Sequence, residues 1–204
     1  MTDLRNTPVA YPSQGAPFVI RAERASDVVA REALLDACFG ENRLKRTCQR
    51  LRDERAPAEG LSLSAVRKDG QLVGTVRLWH VSAGGVPALI LGPLAVDPDC
   101  RKLGVGATLM ARALAAARSR GHCAVILLGD APYYARFGFS TEKTAELMLP
   151  GAFERERLLG LELDAGALDG AWGMIVPTGA AAKPKTRTRT SRARKAARLV
   201  THAA

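Results

Sequence analysis

Three residues, Arg101, Gly104 and Gly106, form an Arg-x-x-Gly-x-Gly pattern whose chemistry is the binding of an anion. Glycines allow a ligand to approach the backbone closely, and a helical pattern begins directly after Gly104. The N–H groups in the first turn of a helix have no intrahelical acceptor, and the helix dipole favours negative charge there. We therefore expect residues 101–107 to bind a phosphate group.

The spacing of this loop excludes two common phosphate-binding motifs. A Walker A loop carries lysine directly after its last glycine, whereas Ala107 follows Gly106 here. The dinucleotide-binding fingerprint needs a third small residue, and Leu109 occupies that place. An ordinary glycine turn before a helix is the alternative, because short glycine motifs also arise by chance.

A tyrosine motif follows one strand later in the sequence. The apolar run from Cys123 to Leu128 predicts a central strand, and a Tyr-x-x-x-Gly-Phe pattern then places Tyr134 four residues before Gly138. A phenol with a pKa of about 10 keeps its proton at neutral pH, so it can protonate a leaving group. Packing over a bound ligand is the alternative role for Tyr134, and we expect Tyr133 and Phe137 to be core or ligand-covering aromatic residues.

These two motifs, in this order and one strand apart, resemble the signatures of the GNAT superfamily of N-acetyltransferases. Arg101–Gly106 is similar to its acetyl-CoA pyrophosphate loop, and Tyr134–Phe139 to its short helix ending in a Gly-Phe turn. The segments Leu91–Val96 and Gly129–Tyr134 resemble one bacterial subgroup. The resemblance covers roughly residues 18 to 176.

The resemblance implies an α/β (α+β) fold with a mixed, mostly antiparallel sheet, splayed central strands and flanking helices. It also implies that the pantetheine arm of acetyl-CoA lies between those strands, and that a bulge near Leu94–Ala95 donates an amide to the thioester carbonyl. An amine would attack the thioester directly, and Tyr134 would protonate the departing thiolate. The implied acetyl-CoA contacts are Leu94, Ala95, Val96, Arg101, Lys102, Leu103, Gly104, Val105, Gly106, Ala107 and Tyr134. Many family members carry an asparagine several residues before the tyrosine, whereas here Asp130 stands close by in a shorter loop, so a contact that depends on the asparagine is not expected.

The acceptor and the general base stay open at this point. A small amine, an antibiotic, a peptide N-terminus and a lysine are all compatible acceptors. Candidate bases are Glu41, His80, Glu154 and Glu156, and water is an alternative to them. A non-catalytic acyl-CoA-binding or nucleic-acid-associated protein is the competing functional class.

The remaining elements follow from hydrophobic periodicity and turn residues. We expect a buried strand over residues 88–96, a helix from Val105 to Arg120, and a hairpin turn at Asp69-Gly70. A first helix is capped by Ser26 or Asp27. A second helix should bury Leu44, Cys48 and Leu51, and its basic face should be solvated or contact the acceptor. That face carries Arg43, Lys45, Arg46, Arg50 and Arg52.

Charge is concentrated at the C-terminus. The chain of 204 residues has a formal net charge of +10, and eight basic residues without an acid lie between Lys183 and Arg198. Subtracting those eight charges leaves about +2 for the rest of the chain. We expect a flexible arm (1–17), one acetyltransferase domain (18–177) and a disordered basic tail (178–204). Residues 183–198 would attract nucleic acid non-specifically, or would only aid solubility.

The cysteines and the hydropathy pattern favour a cytoplasmic protein without a metal. The four cysteines, Cys38, Cys48, Cys100 and Cys123, contain no C-x-x-C pair, as is typical of reduced, buried thiols. The longest uncharged stretch, Val81–Val96, is short for a membrane span, and no signal peptide is expected at the N-terminus.

Overall fold

The computed structural model describes residues 17–182, which form an eight-stranded mixed sheet with helices on both faces. The strands are β1 (Phe18–Ala22), β2 (Ser62–Arg67), β3 (Leu72–Ala83), β4 (Val86–Val96), β5 (Ala124–Leu128), β6 (Leu147–Met148), β7 (Leu158–Glu162) and β8 (Gly173–Pro177). Their main order is β1-β2-β3-β4-β5-β7, while β8 pairs with β3 and β6. The β4–β5 and β6–β8 pairs are parallel and the other pairs are antiparallel. The expected mixed, mostly antiparallel fold is confirmed.

The helices cover the sheet with the apolar stripes that the sequence predicts. They are α1 (Val28–Phe39), α2 (Val105–Ser119) and the short α3 (Ala131–Ala135). On α2, Leu109, Met110 and Ala113 are completely buried, because their helical spacing turns them all toward the sheet. On the opposite face, Leu34 and Leu35 of α1 pack with residues of β3 and β4.

The two central strands diverge, and this divergence creates the main cleft. β4 and β5 pair at Leu89–Val125 and Ile90–Ile126, and no further pairing joins them in the described chain. Residues 94–96 therefore pair with β3 on one side and leave the side facing β5 open. The splayed central strands are confirmed.

A bulge lies in β4 at the start of the open segment. Leu78 pairs with Leu91 and Val76 with Leu94, so β4 contains one more residue than β3 between these pairs. The bulge falls at Gly92-Pro93, slightly before the predicted Leu94–Ala95. The buried Trp79 indole fixes it by donating a hydrogen bond to the Gly92 carbonyl (2.8 Å).

The predicted second helix is wrong. Residues 41–51 form two 3-10 segments, Glu41–Lys45 and Thr47–Leu51, separated by Arg46 in an extended conformation (ψ 147°). Cys48 and Leu51 are buried as expected, but Leu44 is 58% exposed. Tertiary contacts hold the second segment in place, since Thr47 and Arg50 donate hydrogen bonds to the carbonyls of Ala152 and Pro150.

The folded chain continues past the predicted domain end at residue 177. The Ala56 N–H donates to the Ala180 carbonyl, and the Ala182 N–H donates to the Glu54 carbonyl, both at 2.8 Å. Residues 178–182 therefore belong to the fold, and the predicted tail start at 178 is too early. The rest of that tail and nearly all of the predicted N-terminal arm lie outside the described residues.

Candidate active site

The glycine loop presents free amides at the start of α2. A 3-10 segment, Pro98–Leu103, leads into Gly104, whose φ of +76° is the left-handed conformation that favours glycine. The Thr108 N–H donates to the Gly104 carbonyl (3.0 Å), which makes it the first amide of α2 with a helical acceptor. The N–H groups of Val105, Gly106 and Ala107 thus precede the hydrogen-bonded part of the helix and can bind an anion.

Tyr133 lies over this helix start, a contact that the sequence did not indicate. A Cβ atom on Gly106 would come within 2.9 Å of the Tyr133 hydroxyl, so the absence of a side chain makes room for the phenol. The Arg136 guanidinium stacks 4.0 Å from the centre of the Tyr133 ring. The absence of a side chain at Gly106 therefore leaves the amides accessible and lets the aromatic residues pack against the start of the helix.

Tyr134 is positioned by its neighbours on α3. The Asp130 carboxylate accepts a hydrogen bond from the Tyr133 N–H (3.1 Å) and caps the helix. The Tyr134 ring fills the space beside Gly129, where a Cβ atom would lie 2.3 Å from the ring. Burial, with smaller contributions from Tyr133 and Asp130, raises the pKa of Tyr134 to about 12. The phenol therefore keeps its proton at neutral pH.

A cleft of about 1040 Å³ joins the loop, the open strand and Tyr134. Nine of the eleven predicted acetyl-CoA contacts line it, and they are Leu94, Ala95, Val96, Arg101, Lys102, Gly104, Gly106, Ala107 and Tyr134. The other two are Leu103, which is half exposed, and Val105, which is buried in the core under α2. Only the backbone amide of Val105 is therefore in a position to contribute.

The far wall of the cleft is built from segments that the sequence did not bring together. Cys48 of the 3-10 segment Thr47–Leu51 and the adjoining Arg52 contribute to the lining, as do Phe153 and Glu154 from the segment that follows β6. Among the lining side chains, eight are basic and two, Asp130 and Glu154, are acidic. The cleft is therefore strongly cationic and suits anionic ligands.

One of the four candidate bases lies in this cleft. Glu154 lines it, 3.6 Å from Arg157, whereas Glu41 and Glu156 do not. His80 lies at a separate shallow cavity, with its ring centre 5.3 Å from that of His122. His80 therefore does not line the main cleft. Burial and the nearby His80 lower the pKa of His122.

Residues 17–182 contain no group of three or more histidine, cysteine or acidic side chains arranged to hold a metal ion. No helix in the same range is long and apolar enough to cross a membrane.

Comparisons with known proteins agree with this geometry. The model of the Acetyltransferase (GNAT) family matches residues 29–139. The chain is 31% identical over 165 residues to the N-acetyltransferase YhbS of Escherichia coli strain K12, an alignment covering 78% of this chain and 95% of YhbS. The structure of E. coli YhbS in complex with CoA matches with a TM-score of 0.68 and 28% identity, covering 83% of this chain and 94% of that one. A GNAT family acetyltransferase from Brucella melitensis in complex with acetyl-CoA gives a TM-score of 0.55 and 26% identity, covering 82% and 96%.

Proposed function

This chain belongs to the GNAT acetyltransferase family, and we propose that it transfers an acetyl group from acetyl-CoA to an amine acceptor by direct attack in a ternary complex. The observation that carries the proposal is one continuous cleft that runs from the free amides of α2, along the open side of β4, to Tyr134. The CoA and acetyl-CoA complexes of the two similar structures support it.

The residues of this chain fit the binding of acetyl-CoA. Its pyrophosphate would lie on the amides of Val105, Gly106 and Ala107, with Arg101 and Lys102 adding positive charge. The pantetheine arm would pair with the open side of residues 94–96, where the backbone has no neighbouring strand. The thioester would then lie close to the bulge at Gly92-Pro93.

The proposed chemistry is an acyl transfer between two positioned substrates. The amine nitrogen attacks the thioester carbonyl, the carbon–sulfur bond breaks, and the thiolate receives the proton of the Tyr134 hydroxyl. The amine proton leaves to water or to Glu154, the candidate base that lines the cleft. The high pKa of Tyr134 keeps its proton in place before the thiolate forms, and the phenolate left after the transfer regains a proton from solvent before the next turnover.

A turnover assay tests this function against a purely acyl-CoA-binding role. Acetyl-CoA consumption would be followed with a panel of small amines, aminoglycoside antibiotics, peptides with free N-termini and lysine-containing peptides. We expect acetylated product with at least one acceptor class. Binding of acetyl-CoA without product from any class would support the non-catalytic alternative.

A further inference from the structure

The Arg52 residue lines the cleft, and one of its buried donors has no hydrogen-bond partner. Its Nε is buried and has no hydrogen-bond partner, while the residue as a whole is partly buried and lines the cleft. Burial lowers the pKa of Arg52, and the charge interaction and hydrogen bond with Cys48, together with the charge of Asp53, oppose that shift. Asp53 forms its own hydrogen bond with the Gln49 amide (2.8 Å). An incompletely paired guanidinium is costly to bury unless a ligand completes its contacts.

Four neighbouring arginines of the same region are already engaged. Arg43 pairs with Glu32 and Asp36, each at 2.6 Å. Arg46 stacks 5.3 Å from the Phe39 ring centre, and Arg50 donates to the Pro150 carbonyl (2.6 Å). Arg157 lies 3.6 Å from Glu154. Arg52 differs from these four because its Nε donor is buried and unused.

The position of Arg52 separates it from the phosphate loop. One terminal nitrogen of its guanidinium, Nη2, is 3.9 Å from the place of a Cβ atom on Gly92. Gly92 precedes Val96, the last residue of β4, by about 13 Å of extended strand, and the loop begins beyond Val96. Arg52 therefore lies at the bulge, on the side of the cleft where the acceptor must approach the thioester.

We propose that the acceptor is a small amine that also carries a carboxylate, and that Arg52 selects it by binding that carboxylate. The inference rests on the proposed acetyl transfer and names its substrate class. A planar guanidinium matches a carboxylate with two parallel hydrogen bonds, and the Nε–H is one of the donors available for that arrangement. Because Nε is buried in the ligand-free protein, this binding requires the guanidinium to turn toward the cleft. The bound carboxylate then orients the amine toward the thioester and supplies the missing partner of Nε.

The test compares matched acceptors and matched variants. Standard amino acids are assayed against their carboxamides, and phosphoethanolamine against ethanolamine, with acetyl-CoA as donor. Arg52→Gln removes the guanidinium, Arg52→Lys keeps the charge without the planar fork, and Lys68→Gln removes an exposed cation in the hairpin turn that does not line the cleft. We expect Arg52→Gln to lower kcat/KM for carboxylate acceptors by about 10- to 100-fold and to leave the carboxamides unchanged. Arg52→Lys should restore part of the loss, and Lys68→Gln should resemble the wild-type protein.

Three results would overturn the inference. They are equal wild-type kcat/KM for amino acids and their carboxamides, a preference for the phosphate-bearing amine, or an equal loss on neutral acceptors in Arg52→Gln. The melting temperature of ligand-free Arg52→Gln checks the fold. It should equal or exceed that of the wild-type protein, because the variant removes a costly buried charge.

Product binding separates this inference from the proposed function. N-acetyl amino acids are titrated calorimetrically into the CoA complexes of the wild-type protein and Arg52→Gln. Binding that depends on Arg52 without any turnover would contradict acetyl transfer and retain the carboxylate site. Turnover without a preference for carboxylate acceptors would support acetyl transfer and contradict the carboxylate site. The absence of both turnover and Arg52-dependent binding would contradict both proposals.

Discussion

The Tyr134 ring occupies the space that a side chain at position 129 would fill. The ring also meets Tyr133 and Phe139 edge-on, with centre distances of 4.9 and 6.0 Å. These contacts fix the phenol on the cleft wall, and the surrounding burial holds its proton. A single hydroxyl group thus combines a fixed position with a protonation state that suits a general acid.

Removing that hydroxyl should slow the reaction without weakening acetyl-CoA binding. We expect Tyr134→Phe to reduce kcat by about 100-fold, since general-acid catalysis typically contributes that much or more. The calorimetric Kd for acetyl-CoA should stay within a factor of about three, because the aromatic packing is retained. A variant with full turnover would mean that Tyr134 is a packing residue.

The pH dependence offers a second check on the same phenol. A pKa raised to about 12 means that Tyr134 stays protonated as the pH rises through the ordinary value of about 10. We therefore expect the wild-type kcat profile to show no loss of rate near pH 10 from this group. A basic limb at about pH 10 that disappears in Tyr134→Phe would contradict this assignment.

Single-residue roles were predictable from sequence where the chemistry is local. Gly104 needs its positive φ because of the turn that it makes, and the loop motif marks that turn. The surroundings of Arg52 and His80 could not be predicted in this way. Arg52 was assigned with four other cations to one basic face, yet its unsatisfied Nε depends on how the 3-10 segment meets β4. His80 shares the strand face of Leu78, but the position of that strand end relative to the cleft depends on the whole sheet.

At the scale of elements, Asp27 connects the start of α1 to the sheet. Its carboxylate accepts hydrogen bonds from Arg21 of β1 (2.6 and 2.8 Å), from Ser64 of β2 (3.1 Å) and from the Arg24 N–H (2.8 Å). It therefore makes no side-chain cap on α1, contrary to the expectation that Ser26 or Asp27 caps that helix. The Arg21 hydrogen bond is the main reason that the pKa of Asp27 lies far below its ordinary value.

Asp27→Asn should destabilise the fold in a pH-dependent way. We expect a loss of about 2 kcal/mol in the free energy of unfolding at pH 7, because the carboxylate is buried and its partners lose a charged acceptor. A lowered folded-state pKa gives stability that is fully present above the unfolded value of about 3.9 and is lost as the pH falls toward the folded value. The difference between the two proteins should therefore shrink below about pH 4.

Asp36→Asn is the matched control for this measurement. Asp36 pairs with Arg43 on the surface of α1, with 54% of its side chain exposed. Exposed pairs contribute about 1 kcal/mol or less, so denaturant unfolding should separate the two variants. Equal losses of unfolding free energy in the two variants would show that Asp27 does not connect α1 to the sheet.

Elements with strong local signals were predictable from sequence, and those set by tertiary contacts were not. The hairpin at Asp69-Gly70 and the buried stripe of α2 formed where turn chemistry and helical spacing placed them. The segment 41–51 carried a helical pattern as well, but Arg46 adopts an extended conformation between two 3-10 turns. This segment donates hydrogen bonds to residues about one hundred positions later in the chain, and no local sequence pattern indicates these contacts.

At the scale of the whole molecule, positive charge is concentrated in two groups of residues. The cleft carries the excess of basic lining residues described above, and the range 183–198 carries eight more without an acid. The second group lies outside the described residues, so its role follows from its charge alone. Its attraction to polyanions stays a proposal.

A chain ending at Ala182 separates the two groups and keeps the residues that pair with positions 54–56. We expect it to lose non-specific nucleic-acid binding at low salt and to keep its acetyl-CoA affinity. The full chain should bind more weakly as salt rises, with a logarithmic slope no steeper than about −7, the limit that eight charges set on duplex DNA. Unchanged nucleic-acid binding by the shortened chain would place that binding in the folded part.

Calorimetric titration of Gly106→Val measures whether the loop at the start of α2 binds the pyrophosphate of acetyl-CoA. A valine would project toward the Tyr133 hydroxyl and cover the amides, so we expect at least a tenfold weaker Kd for acetyl-CoA. Ala115→Val introduces the same side chain on the exposed side of the same helix, away from the amides, and should bind like the wild-type protein. Equal affinity in Gly106→Val and the wild-type protein would mean that the loop does not bind the pyrophosphate.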